Sequence, residues 1–137
     1  MELSFTNQAP NVDEFMLLRA KIGWKNPEST MVKKSLDNSI FHVCVYVESQ
    51  LVGYGRIVGD GAMYFYLQDI IIDPDYQSHG IGKAVMQKIE LFLADNAVSG
   101  ATIALLAAYG KEEFYAKFGY SSRTGRPLGL GMCKFVA

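Results

Sequence analysis

With 137 residues, half of them hydrophobic, the chain is long enough for one domain with a substantial core and too apolar to be disordered. Its formal charge of −1 and lack of basic tracts argue against a dedicated nucleic-acid binder, and no apolar run approaches the roughly 18 residues of a membrane span. The N-terminus lacks a basic segment followed by an apolar one, so no signal peptide is expected and a cytoplasmic location follows by default.

Leu3 to Thr6 alternates weakly, as an edge strand would. Asn11 followed by Glu14 is an N-terminal capping pattern for a helix carrying Phe15, Leu18 and Ile22 on one stripe, which Gly23 and Pro27 then break. A short second helix is expected near Thr30 to Leu36, with Met31, Val32 and Leu36 as its apolar face. From Phe41 the pattern becomes β: Phe41 to Val47, a turn at Glu48-Ser49-Gln50, then Leu51 to Val58. Phe41, Val43, Val45 and Val47 fall on one face of the first strand and His42, Cys44 and Tyr46 on the other. His42 is read as a satisfied strand histidine. Gly59-Asp60-Gly61 turns the chain into a long strand opened by Met63, whose run Ile70-Ile71-Ile72 suits a buried position and is stopped by Asp73-Pro74-Asp75.

A helix with Ile81, Ala84, Val85, Ile89, Phe92 and Leu93 at helical spacing follows. Thr102 to Ala107 is then a small-residue strand, parallel to the long one because a helix crosses between them. In the next helical segment Phe114 and Phe118 form an i, i+4 pair and Gly119 suits a C-cap. Arg123 to Gly131 is a Gly/Pro-rich loop, and Met132 to Val136 reads as a last strand. Cys44 and Cys133 both sit in apolar strand-like runs, where a small buried thiol is expected. Neither is read as a nucleophile or metal ligand, and no metal is expected.

Gln77-Ser78-His79-Gly80-Ile81-Gly82 lies between the long strand and its helix. Two glycines let backbone approach a ligand, the N–H groups of the first helical turn attract negative charge, and Lys83 adds a full positive one. A Walker A loop would need Gly at 77 and Ser or Thr at 84, where Gln77 and Ala84 stand, and a dinucleotide fingerprint would need a third glycine at Val85. Gln-x-x-Gly-x-Gly instead resembles the pyrophosphate loop of the GNAT N-acetyltransferase superfamily. Phe114-Tyr115-Ala116-Lys117-Phe118-Gly119-Tyr120 resembles that superfamily's second landmark, a Phe-Tyr-x-Lys-x-Gly-aromatic segment. The two occur in the family's order, separated by a helix and a strand.

The resemblance covers roughly Phe41 to Val136. It implies an α/β fold: a mixed, mostly antiparallel sheet of about six to seven strands with a central parallel, splayed pair, flanked by about four helices. It implies acetyl-CoA as cosubstrate, with pantetheine lying along Ile70, Ile71 and Ile72 and the pyrophosphate on the backbone of Gln77, Ser78, His79, Gly80, Ile81, Gly82 and Lys83. Tyr115 matches the tyrosine that protonates the departing sulfur, a transfer made reasonable by phenol and thiol pKa values about one to two units apart. Glucosamine-phosphate acetyltransferases resemble the chain at Gln68 to Ile72 but carry Glu-Asp where Gln68-Asp69 stands. Gln68 cannot take a proton; Asp69 can and is the candidate base, beside the readings that it is a strand-end carboxylate hydrogen-bonded to nearby backbone and that deprotonation runs through ordered water. Ala108 departs from an asparagine that often contacts CoA in the family.

Trp24, Tyr64 and Tyr66 are candidate acceptor-side residues, with a core-capping indole and core-filling tyrosines as the other reading, and Arg56, Arg123 and Arg126 are candidate anchors for an acidic group. The segments expected around the acceptor contain only Glu28 as an acid, so a small primary amine that is aromatic or acidic is expected in preference to a polyamine or lysine-rich peptide. Two other readings stay open: a non-catalytic CoA-binding module of the same fold, and acetylation of a protein or peptide amine. Neither nucleic acid nor membrane is expected as a partner, and a homodimer is left open.

Overall fold

The computed structural model describes residues 1 to 137. The elements in order are β1 (Ser4–Thr6), α1 (Val12–Lys21), α2 (Ser29–Asp37), β2 (Phe41–Val47), β3 (Gln50–Gly59), β4 (Tyr64–Ile72), a 3₁₀ turn (Pro74–Tyr76), α3 (Ile81–Asn96), β5 (Thr102–Leu105) and α4 (Glu112–Ala116). One sheet holds all five strands in the order β1-β2-β3-β4-β5. Its pairs are antiparallel except β4 with β5, which is parallel because α3 carries the chain across.

Local signals account for most boundaries. Asn11 accepts from the Asp13 N–H while Glu14 returns a bond to the Asn11 N–H, closing the capping box that starts α1. Glu48 and Ser49 take positive φ between β2 and β3, matching the twist of a tight hairpin. Asp60 Oδ1 accepts from the N–H groups of Ala62, Met63 and Tyr64 and so fixes the turn into β4.

Two cores lie on opposite faces of the sheet. Ile81, Val85, Met86, Ile89 and Leu93 of α3 pack on Val43, Val45, Val52, Ile57, Phe65 and Leu67. On the other face, Phe15 and Leu18 of α1 and Val32 and Leu36 of α2 cover Cys44, Leu51, Tyr54 and Ile71. Each of these aliphatic side chains contributes on the order of 1.5–3 kcal/mol of transfer free energy when buried. Gly55 lets α3 sit close to the sheet, since a Cβ there would lie 2.7 Å from Val85 and 2.9 Å from Ile70.

The β2 faces, the position of α3 and the parallel β4–β5 pair agree with the sequence reading. Within α2, Val32 and Leu36 are buried as expected, whereas Met31 is 64% exposed. Three further expectations are corrected. The sheet has five strands rather than six to seven. Met132 to Val136 forms no strand, and no backbone–backbone hydrogen bond involves residues 121 to 137. Apolar composition does not make a strand without a neighbour to pair with, and Gly129 and Gly131 weaken β preference in the residues leading into it. Cys133, in that segment, is exposed, while Cys44 is buried.

Burial pushes the Cys44 thiol up to about 12, with the charge of Glu14 adding to the effect. It also raises the phenols of Tyr46, Tyr54 and Tyr120. A folded-state pKa above the unfolded one stabilises fully below the unfolded value and is lost as pH rises through the folded value. Stability is therefore expected to hold to about pH 9 and then fall, by up to about 1.4 kcal/mol per pH unit for each group that has begun to titrate. Denaturant midpoints from pH 7.5 to 11 test this, and Cys44→Ala should flatten the part of the fall between pH 9 and 10. A flat profile to pH 11 would contradict it.

Candidate active site

The site begins at an irregularity in β4. Arg56 of β3 pairs with Gln68 but Tyr54 pairs with Ile71, so β4 carries one extra residue. Asp69 sits in that bulge with φ of +56°, a left-handed conformation that Asp tolerates better than most residues. The extra residue reverses the alternation: Phe65 and Leu67 face α3 before it, and Ile70 and Ile72 do so after it, leaving Ile71 on the α1/α2 side. Pairing with β5 ends at Leu67↔Leu105, so from Gln68 to Ile72 one edge of β4 has no strand beside it. That edge opens as a cleft.

Beyond β4, Asp73 anchors the turn into the loop. Its side chain is buried, takes Lys21 Nζ at 2.8 Å and accepts the Asp75 N–H at 2.9 Å. Its carbonyl accepts the Tyr76 N–H at 2.8 Å. Ser78 and Gly80 then adopt positive φ, and Gly80 starts α3 with no side-chain cap. From Gln77 to Lys83 no backbone N–H donates to a protein acceptor. These are the free donors of a helix N-terminus, collected in one concave loop.

The cleft has a volume of about 550 Å³, within the range of small-ligand sites. It joins the β4 edge (Ile70, Ile71, Ile72) to the loop (Gln77, Ser78, Gly80, Ile81, Gly82, Lys83) and to Tyr115 of α4. Trp24 and Ile22, just after α1, also line it. His79, Tyr64, Tyr66 and Asp69 do not. Tyr64 and Tyr66 precede the bulge, toward the end of β4 away from the loop, and Tyr64 is 56% exposed there. Their expected acceptor role therefore lacks the cleft geometry that Trp24 has.

Asp69 stands in the setting of a hydrogen-bonded structural carboxylate, with side-chain rather than backbone partners. Its side chain is sealed from solvent between two arginines, with Arg19 Nη1 at 2.9 Å on Oδ1 and Arg56 Nη2 at 2.8 Å on Oδ2. Gln68 Nε2 adds a longer contact at 3.3 Å. A carboxylate whose two oxygens are already taken by guanidinium donors, and which does not face the cleft, is poorly placed to receive a proton from an amine. Arg56 is likewise taken up: it is buried, and its Nη1 donates to Ser35 and Ser39 rather than to open space. Arg123 lies outside the cleft in an exposed loop with Arg126. His42, with its Nδ1 2.6 Å from the Tyr54 hydroxyl, is a buried strand histidine whose pKa is lowered first by burial and then by Arg56.

Tyr115 is 9% exposed, edge-on to Phe114 at 5.0 Å, and burial raises its pKa. Its hydroxyl has no protein hydrogen-bond partner and, since no side-chain polar atom in the molecule is both buried and unpartnered, it is accessible; Tyr115 lines the cleft. Tyr120 donates to Glu90 Oε2 at 2.7 Å and ties the end of this segment to α3. The sequence reading did not single out Lys111 or Tyr76 for the cleft. Lys111 follows a turn at Gly110, the one local signal that marked it. With Lys83 it gives the lining two cations and no carboxylate.

The two loop glycines serve different needs. Gly80 is required by its φ of +76°, whereas a Cβ on Gly82 would meet only Phe114 at 3.5 Å and Ile72 at 3.7 Å, which is ordinary contact. Gly82→Ala is therefore expected to fold with unchanged or slightly higher stability, whereas its Cβ would hold a phosphate off the loop N–H groups and weaken binding of the expected acetyl-CoA about ten- to a hundredfold. Calorimetry beside a thermal melt checks both halves, and full affinity in the folded variant would remove the phosphate assignment.

A buried five-stranded mixed sheet, split after the middle of β4 and followed by an anion loop, defines an α/β acyltransferase fold. Residues 38–122 match the family model for the acetyltransferase (GNAT) domain, and the chain belongs to that family. It is 31% identical over 112 residues to the uncharacterized N-acetyltransferase ycf52-like of Prochlorococcus marinus, covering 79% of this chain and 61% of that protein. It is 28% identical to the chloroplastic GCN5-related N-acetyltransferase 1 of Arabidopsis thaliana, covering 85% of this chain and 59% of that one. The chain thus spans about three fifths of these curated relatives. The crystal structure of SA2161 from Staphylococcus aureus, described as a protein of unknown function and probable acetyltransferase, superposes with a TM-score of 0.90 at 28% identity, covering 98% of this chain and 100% of that one.

Proposed function

We propose that the protein transfers the acetyl group of acetyl-CoA to the primary amine of a small molecule, by direct transfer while both are bound. The observation that carries this reading is the meeting of three features in one cleft: free loop N–H groups, an unpaired strand edge and an unpartnered phenol. Acetyl-CoA supplies the activated thioester. The N–H groups of Gln77 to Lys83, with Lys83 and Lys111, hold its phosphates. The free edge of β4 takes the amide groups of the pantetheine arm as a strand would, and Ile70 and Ile72 give it an apolar floor. Tyr115 gives its proton to the departing sulfur. No carboxylate lines the cleft, so the attacking amine loses its proton to water rather than to Asp69.

Turnover of acetyl-CoA, followed by thiol release over a panel of amines, tests the proposal. Binding without turnover on any amine would favour the non-catalytic module instead.

The same lining supports a choice of acceptor. Polycations are held by clustered carboxylates, and here the cleft lining has none and offers Trp24 and Ile22 as an apolar wall. Small amines that are aromatic or bear a carboxylate or phosphate are expected to exceed spermidine and lysine-rich peptides in kcat/KM by at least about tenfold, which is 1.4 kcal/mol of discrimination. A direct competition measures this, and preference for spermidine would reverse it.

A further inference from the structure

We infer that Arg19 is a positioning residue for the acceptor, acting by clamping Trp24 into the wall of the cleft; the inference rests on the acetyl-transfer reading above. Helix α1 ends in a Schellman motif. The Gly23 N–H donates to the Ala20 carbonyl and the Trp24 N–H to the Arg19 carbonyl, both at 3.0 Å, with Gly23 at φ +85°. This turn throws Trp24 back over the last turn of its own helix, onto Arg19.

The Arg19 side chain then makes contacts in three directions. Its Nη1 holds Asp69 Oδ1 at 2.9 Å in the β4 bulge. Its Nε donates to Asn26 Oδ1 at 3.0 Å and its Nη2 to the Lys25 carbonyl at 3.2 Å, on either side of the next peptide units. Its Cζ lies 5.2 Å from the centroid of the Trp24 ring. Asn26 is itself held, donating to the Met16 carbonyl at 2.8 Å. One planar guanidinium thus joins the strand bulge that opens the cleft to the loop that supplies its indole wall. Trp24 also packs against the α1/α2 core, and the guanidinium adds the contact that fixes how the indole faces the cleft. The fork makes the wall and the splayed strand a single body.

Lysine cannot reproduce this. Its ammonium keeps a charge for Asp69 but has no planar face for the indole and no fork to reach Asn26 and Lys25 together. Arg19→Lys is therefore the informative variant, since it preserves the buried charge pair while releasing the loop.

Trp24 is the chain's one tryptophan, so its emission reports this wall without interference. Arg19→Lys is expected to shift that emission to the red and raise its quenching by acrylamide. It should also raise the KM for the acceptor about tenfold, with kcat and acetyl-CoA affinity within about threefold of the parent. In a Trp24→Ala background the same change should alter the acceptor KM less than twofold, because the two residues act as one. Arg19→Met, which also removes the charge, tests the fold: its denaturant midpoint should fall, whereas that of Arg19→Lys should fall less.

A folded Arg19→Lys protein with parental emission and parental KM overturns the inference. So does a KM effect that persists undiminished without Trp24. Should the parent protein turn over no amine at all, the acetyl-transfer reading fails, while the emission of the ligand-free variants still decides whether Arg19 holds Trp24.

Discussion

Replacing Tyr115 by Phe is expected to lower kcat by roughly ten- to ten-thousand-fold, the range for losing a general acid, while acetyl-CoA affinity stays within about twofold. The substitution keeps the ring against Phe114 and in the α3 core, and deletes only the unpartnered hydroxyl. Because burial raises the Tyr115 pKa above its ordinary value near 10, the phenol stays protonated throughout the neutral range. Its ionisation should then produce no alkaline fall in kcat below about pH 10. Steady-state kinetics with the best amine of the panel, beside calorimetry, separates the proton donor from a packing role. Parental turnover in the Phe variant would place the acid elsewhere or make it unnecessary.

The largest loss of stability is expected from Asp69→Ala. The carboxylate is sealed from solvent and neutralises Arg19 and Arg56, whose side chains are 18% and 9% exposed. Removing it leaves two guanidinium groups against each other in a low-dielectric layer, at a cost of about 3–5 kcal/mol. Alanine also fits the bulge's φ of +56° poorly. Asp69→Asn tolerates that conformation better and keeps one acceptor oxygen, so it should lose less. Both variants remove the negative charge, so the loss common to them reads the uncompensated guanidinium pair and the difference between them reads the retained acceptor oxygen and the backbone preference. Urea denaturation reads both, and a loss below about 1 kcal/mol for the alanine variant would show that the pairs are not what holds the two layers in register.

Both expectations concern groups that chemistry and architecture share. The cleft exists because β4 gains a residue and parts from β5, and the bulge persists because two arginines hold its carboxylate. The proton transfer proposed for Tyr115 on the α4 side and fixation of the loop on the α1 side therefore depend on the same irregularity. A substitution at Asp69 would loosen the cleft from outside its lining.

The sequence by itself determined the parts that are specified by near neighbours. The Asn11 and Glu14 box, the hairpin at Glu48-Ser49, the two faces of β2 and the start of α3 after Gly80 are all set by residues a few positions apart. The anion loop was legible for the same reason: glycine spacing and a helix N-terminus suffice to bring free N–H groups together. The segment that brings Tyr115 to the cleft was legible from its motif. Only the tertiary structure decided the role of Asp69, because its partners stand 50 and 13 residues away and nothing local marks a strand residue that will take positive φ. It placed Tyr64 and Tyr66 outside the cleft lining, since alternation assigns a face but not a place along the strand relative to the cleft. It decided against a last strand, because a strand needs an edge to pair with and Met132 to Val136 takes none. Arg19 went unread altogether, for its four partners come together only when α1, its following loop and the bulge of β4 are already folded.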